Sequence, residues 1–108
     1  MITVKIYKNQ EEEYVGFQTD GHAEYAEEGS DIVCAAVSIL INNTMNSIEQ
    51  FTYDTFNGHF EQESGTVEFM FHSEPSREAA LLIDSMILGL TNIEKKYGQY
   101  ISLQFEEV

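Results

Sequence analysis

The sequence predicts an α+β fold, a compact layered domain in which a mainly antiparallel or mixed sheet packs against two helices. Segments that alternate apolar and polar residues indicate strands, and two long segments with helical apolar spacing separate them. Turn residues follow the strands closely, so hairpins should dominate the sheet. The 108 residues contain no linker, low-complexity tract or repeat. We therefore expect one domain that spans residues 1–108.

The first half of the chain predicts a hairpin, a loop and a buried helix. Ile2–Ile6 and Tyr14–Phe17 alternate in the manner of two paired strands. A loop without clear periodicity follows. Apolar residues at helical spacing then predict a helix from about Asp31 to about Gln50, which Ser30 or Asp31 can cap. This helix is apolar on much of its circumference, so it should be largely buried.

A second set of short strands follows that helix. Tyr53–Phe56 is weakly strand-like, and Asn57-Gly58 reads as a tight turn between short strands. His59–Gln62 and Thr66–Phe71 flank Ser64-Gly65, and the second of these segments is the stronger strand. The pattern predicts two or three strands in this region.

The last third predicts a second helix and a final strand. Pro75 and Ser76 mark the start of the helix, and apolar residues from Ala80 onward fall on one of its faces. Gly98 stands where the helix should end. Tyr100–Phe105 alternates again and predicts the last strand, although the order of the strands cannot be derived from the sequence.

Composition narrows the classes of function. Nineteen acidic residues face five basic ones, for a formal net charge of −14. Such a chain is a poor nucleic-acid binder and attracts basic partners. The single cysteine fits a reducing compartment. The N-terminus has no signal-peptide core, and no apolar run approaches the roughly 18 residues of a membrane helix, so we expect a cytoplasmic protein without membrane contact.

Cys34 is the first candidate for a catalytic residue. It falls in the first turn of the predicted helix, where unpaired N–H groups and the helix dipole favour thiolate, the nucleophilic form. The alternative is a small buried hydrophobe among Ile32, Val33, Ala35 and Ala36.

His22 strengthens the catalytic interpretation, because the loop between it and the helix can bring imidazole next to the Cys34 sulfur. Asp20 and Asp31 offer carboxylates to orient the ring. A metal site from His22, Asp31 and Cys34 is an alternative that lacks recognisable ligand spacing, so we expect no metal and no cofactor. His59 and His72 lie in strand segments and are interpreted as structural or surface residues.

A longer pattern surrounds this pair. Gly21-His22-Ala23, Tyr25-Ala26, Gly29 and the continuous segment Asp31–Ser38 resemble the signature of the ribosomal-processing cysteine protease Prp family. The hairpin before the signature and the helices after it are also similar to that family, so the resemblance covers essentially the whole chain. The signature is long and ungapped, which makes it much more specific than a lone Cys–His pair.

The resemblance implies a homodimeric protease that removes the short N-terminal extension of a basic protein, the twenty-seventh of the large ribosomal subunit. The cut follows paired phenylalanines and precedes a small residue. The dyad maps onto His22 and Cys34, and Gly21, Asp31 and Ser38 match supporting positions. The resemblance also implies a mobile lid, formed by Ala23, Glu24, Tyr25, Ala26, Glu27, Glu28, Gly29 and Ser30.

A second class of function stays open from the sequence alone. An acidic domain of this size could bind or chaperone a basic ribosomal protein without catalysis, with Cys34 merely buried. Reactivity of Cys34 toward iodoacetamide near neutral pH distinguishes the two, because an activated thiol alkylates faster than a model thiol.

Overall fold

The computed structural model describes residues 1–21, 30–61 and 63–108, with the side chains of Ser30 and Asp31 outside that description. Along these residues the elements follow the order of the alternating and helical segments in the sequence. They are β1 (Ile2–Lys8), β2 (Tyr14–Asp20), α1 (Ser30–Phe51), β3 (Phe56–Glu61), β4 (Thr66–Phe71), α2 (Arg77–Tyr97) and β5 (Ile101–Glu107).

The strands form one five-stranded mixed sheet in the order β3-β4-β2-β1-β5. Strand β1 pairs antiparallel with β2 and parallel with β5. The hairpin β3–β4 joins the sheet through β4, which pairs antiparallel with β2. The predicted α+β fold with two helices on a mixed sheet is therefore confirmed.

One face of the sheet carries the core. Ile2, Val4 and Ile6 of β1 are buried, and the residues between them are partly exposed, as the alternating pattern requires. Phe17 and Phe69 stack across β2 and β4 with ring centroids 4.8 Å apart. Both helices cover this face. They contribute the buried side chains of Val33, Val37, Ile41, Ile48, Ala79, Ile83, Met86 and Leu90.

The hairpin β3–β4 differs from the sequence prediction. Asn57 and Gly58 do not form a turn; they lie inside β3, which begins only at Phe56. In this register Phe56 lies opposite Phe71 and Phe60 opposite Val67, so the apolar residues share the helix-covered face. That long-range pairing outweighs the local preference of Asn-Gly for a turn. Gly65 makes the left-handed backbone step instead, with φ of 71°.

The prediction that no apolar segment is long enough to cross a membrane is wrong for helix α1. Its residues Ile32–Phe51 are long and apolar enough to cross a membrane by length and composition, with a mean hydropathy of 1.2. Here the apolar side chains of Val33, Val37 and Ile48 are buried against the sheet. However, only 28% of this span is buried, and Ile32, Ile39 and Phe51 are more than half exposed, so the prediction of a largely buried helix is wrong. One face of α1 packs on the core, and apolar side chains also remain on its outer face.

Candidate active site

A row of residues on one face of α1 forms the first wall of a cleft. Cys34, Ser38, Ile41, Asn42 and Met45 recur at the spacing of a single helical stripe and line the same cavity. Because a helix rises about 1.5 Å per residue, the stripe extends roughly 16 Å from its first to its last residue. Cys34 stands at one end of it.

The hairpin β3–β4 and the end of β2 form the rest of the cleft, which has a volume of about 780 Å³. Thr19 and Val67, which are register partners, belong to the sheet floor. Most of the other lining groups are apolar or lack a side chain. They are Gly21, Phe56, Gly58, His59, Phe60 and Gly65. A cavity with this lining suits an extended, largely apolar segment of polypeptide.

Cys34 is a half-buried free thiol at the wall of this cleft. Its exposure to a cavity argues against the alternative of a fully buried hydrophobe. Helix α1 begins at Ser30, so Cys34 is its fifth residue and not, as predicted, in the first turn. The unpaired N–H groups and the dipole act most strongly within the first turn. The helix start therefore supports thiolate at Cys34 less than the sequence indicated.

Gly21 brings the end of β2 to the same cleft. Its φ of 90° lies in the left-handed region, and a Cβ there would stand 2.5 Å from the backbone oxygen of Met1. Both features require glycine. Strand β2 ends at Asp20, and Gly21 and Cys34 line the same cleft. The chain therefore leaves the sheet beside the thiol, immediately before the predicted base. His22 itself and the lid segment 23–29 lie outside the described residues.

The predicted supporting residues divide into two groups. Ser38 lies one helical turn after Cys34 and lines the cleft, whereas Asp31 belongs to α1 with its side chain outside the description. Asp20 is already engaged: one carboxylate oxygen accepts from Gln18 Nε2 at 2.8 Å and the other from Thr66 Oγ1 at 2.9 Å. These bonds tie the Asp20 carboxylate to β2 and β4.

The other two histidines are exposed. His59 lies at the cleft rim, with Nε2 3.8 Å from the Glu61 carboxylate. His72 lies between Thr55 Oγ1, 2.9 Å from Nδ1, and Asn57 Oδ1, 3.0 Å from Nε2. The sequence interpretation of both as structural or surface residues agrees with these positions.

Sequence reasoning missed the rest of the cleft. Asn42 and Met45 could have been found, since they continue the helical stripe that starts at Cys34. Phe56, Gly58 and Phe60 could not, because their place depends on the register of β3 against β4 and on how the hairpin meets α1.

A mixed sheet covered by two helices, with a thiol at the wall of an apolar cleft, fits the class of thiol-dependent enzymes that act on polypeptides. The comparisons with known proteins agree. The family model described as cysteine protease Prp matches residues 1–102. The ribosomal processing cysteine protease Prp of Staphylococcus aureus is 31% identical over 106 residues, which cover 98% of this chain and all of that protein. Its counterpart in Bacillus subtilis is 30% identical and covers 90% of each chain.

Solved structures resemble the chain equally closely. The S. aureus protease with a covalently linked product peptide superimposes with a TM-score of 0.89 at 31% identity, and the same protease with a substrate peptide with 0.92 at 30%. Both alignments cover 98% of this chain and 100% of the other. The chain belongs to the ribosomal processing cysteine protease Prp family. It is an enzyme, a cysteine protease, and the alternative of a non-catalytic binding module is not supported.

Proposed function

We propose that the protein is an endopeptidase that removes the short N-terminal extension of a basic ribosomal protein, the twenty-seventh of the large subunit, with Cys34 as nucleophile and His22 as general base. The observation that carries this proposal is the cleft: the Cys34 thiol and Gly21, the residue before His22, line the same apolar cavity. The names of the relatives support the ribosomal substrate, and the covalently linked product peptide of the S. aureus protein supports a covalent mechanism.

The reaction follows nucleophilic acyl transfer. His22 takes the proton of the Cys34 thiol, and the thiolate sulfur forms a bond to the scissile carbonyl carbon. The tetrahedral oxyanion is stabilised by backbone N–H groups at the start of α1. As the C–N bond breaks, His22 returns its proton to the leaving amine, which leaves a thioester on Cys34. Water, deprotonated by His22, then hydrolyses the thioester and restores the thiol.

Three further residues support this dyad in our proposal. Gly21 sets the backbone direction that leads to His22, through its left-handed φ and a close approach to Met1 that leaves no room for a Cβ. Ser38, one turn beyond the nucleophile, provides a hydroxyl in the cleft that can bond the peptide backbone of the substrate. Asp31 orients the imidazole.

Residues 23–30 join base and nucleophile along the chain, and we infer that they act as a lid over bound peptide. The protein works in the cytoplasm as a homodimer, as the resemblance to the family implies. Sedimentation of the protein at micromolar concentration tests the dimer directly.

The substrate assignment is tested by mapping the cut. A peptide that contains paired phenylalanines followed by a small residue is incubated with the enzyme, and the products are identified by mass spectrometry. We expect a single cut after the second phenylalanine with the wild-type enzyme and none with folded Cys34→Ala. Cuts elsewhere, or none in this peptide while other peptides are hydrolysed, would contradict the substrate and leave the protease class intact.

A further inference from the structure

Charge is distributed unequally along the chain. Residues 9–76 contain fourteen of the nineteen acidic residues and neither lysine nor arginine. Residues 1–8 and 77–108 contain the five basic residues and the other five acidic ones, so the formal charges of these two segments cancel. The sheet order places β3, β4 and β2 on one side and β1 and β5 on the other. The excess of negative charge therefore belongs to the segment that builds β2, α1, β3 and β4, the elements around the cleft.

The sheet also has a face that the helices do not cover. Side chains that alternate with the buried ones point to this face, and hydrogen bonds join them across the strands. Tyr7 donates to Gln18 Oε1 at 3.3 Å, and Gln18 Nε2 donates to Asp20 at 2.8 Å. We call the part of this surface on β2, β3 and β4 the open sheet face. Its polar side chains, none of them buried, are Gln18, Asp20, His59, Glu61, Thr66 and Glu68.

The carboxylates of the open sheet face are not balanced by lysine or arginine. Neither residue type occurs in β2, β3 or β4. Glu68 makes no ion pair with a described residue, and Glu61 lies 3.8 Å from the imidazole of His59. On the other side of the sheet, in contrast, Lys5 lies 3.5 Å from Glu106 and offsets its charge. Uncompensated carboxylates are therefore a feature of the β3–β4–β2 side.

The open sheet face is continuous with the cleft. β3 is an edge strand, with Phe60 in the cleft wall and Glu61 on the opposite face. At the end of β2, Thr19 lines the cleft and the next residue, Asp20, belongs to the open sheet face. An extended polypeptide advances about 3.3 Å per residue. A chain that leaves the cleft at either place therefore needs few residues to reach the open sheet face.

A basic polypeptide is the occupant that this surface fits. A second copy of the chain carries a net charge of −14, and nucleic acid carries phosphates, so both are repelled by the carboxylates. An apolar partner would remove the carboxylates from water without pairing them, which is unfavourable. Lysine and arginine side chains pair with carboxylates and complement the charge of the surface.

We propose that the open sheet face is an exosite, a docking surface outside the cleft, for lysine and arginine side chains of the basic ribosomal protein beyond the extension that is removed. The proposal deepens the proposed function and rests on it for the identity of the substrate. The exosite adds binding energy that a short peptide does not obtain. It differs from attraction by the net charge, because it depends on where the carboxylates lie.

The test compares two double variants that remove the same number of charges. Glu61→Gln/Glu68→Gln changes the open sheet face, and Glu78→Gln/Glu107→Gln changes two exposed residues of the segments with balanced charge. We measure kcat/KM at low salt for the whole ribosomal protein and for a short neutral peptide that contains the cut. For the whole protein we expect the first variant to lose about fivefold to tenfold and the second less than about twofold. Both should cleave the peptide at the wild-type rate.

Thermal unfolding verifies that both variants are folded. Equal losses in the two variants would show attraction by net charge alone and would overturn the exosite, as would a loss on the neutral peptide that matches the loss on the protein. A change of oligomeric state in Glu61→Gln/Glu68→Gln, measured by sedimentation, would assign the face to a second copy and also overturn it. In each of these cases the protease function stands. Failure of the wild type to cut the ribosomal protein would instead contradict the proposed function.

Discussion

At the scale of single residues, we expect Gly21 to influence the proposed base, because it directly precedes His22 in the chain. An alanine there must adopt a φ near 90° and place its Cβ against the Met1 oxygen. Left-handed backbone costs an L-residue about 1–2 kcal/mol, and the close contact adds to it. We predict that Gly21→Ala lowers the melting temperature and reduces kcat more than it raises KM, because His22 is displaced.

Calorimetry and steady-state kinetics on a neutral peptide measure the two effects. Unchanged kcat in a folded but destabilised Gly21→Ala would show that Gly21 serves stability alone. The position of His22 would then not depend on the backbone step at Gly21.

Single residues also show how far the sequence alone predicts the site. The stripe of Cys34 and Ser38 follows from local helical spacing, which needs no tertiary information. The hydrogen bond that Thr66 Oγ1 donates to Asp20 could not be foreseen, since it depends on the pairing of β4 with β2. Gly58 was interpreted as a turn residue, because its local sequence favours a turn and only the sheet register excludes it.

At the scale of elements, hydrogen bonds between Ser76 and Asp54 join the start of α2 to the segment between α1 and β3. Ser76 caps α2 by accepting from the Ala79 N–H at 3.1 Å, and it donates its hydroxyl to Asp54. The Ser76 N–H also donates to Asp54, at 2.7 Å. Burial alone would raise the pKa of Asp54, but the hydrogen bonds from Ser76 and Thr52 outweigh it and lower that pKa from its ordinary value of 3.8.

We predict that Ser76→Ala lowers the free energy of unfolding at pH 7 by about 0.5–2 kcal/mol, because the cap is lost. A carboxyl whose pKa is lowered on folding stabilises the protein above its unfolded pKa, and this contribution disappears as the pH falls through the folded pKa. The difference between wild type and Ser76→Ala should therefore shrink below about pH 4.

Urea unfolding at pH 7 and at pH 3 measures this difference. Ser85→Ala, an exposed serine in the middle of α2, is the control and should have little effect at either pH. An undiminished difference at pH 3 would mean that the hydroxyl acts on the helix alone and not through Asp54.

The elements differ in how well the sequence predicts them. The bounds of β1, α1 and α2 agree with the apolar periodicity to within a few residues, because long periodic segments bury one face whatever their partner. The short segment at β3 has too few apolar residues for their spacing to distinguish a strand from a turn. Its structure depends on pairing with β4. Strand order is a property of the whole sheet, and the sequence did not yield it.

At the scale of the whole molecule, the net charge of −14 should steer a basic substrate toward the enzyme. Screening acts over a Debye length of about 8–10 Å at physiological salt, so steering affects encounter and not the choice of bond. We predict that moderate salt lowers kcat/KM for the whole basic ribosomal protein but barely affects a short neutral peptide. A salt series with both substrates measures this, and equal sensitivity would contradict steering.

The central claim is that Cys34 and His22 perform the hydrolysis, and kcat/KM of point variants on one neutral peptide tests it most directly. We predict no cleavage with Cys34→Ala and a loss of about 10²–10⁴-fold with His22→Ala, the usual contribution of a general base. His72→Ala, a histidine bonded to Thr55 and Asn57, is the matched control and should retain wild-type activity. His59→Ala should also remain active. Full activity in folded Cys34→Ala, or a large loss in His59→Ala together with an active His22→Ala, would contradict the account.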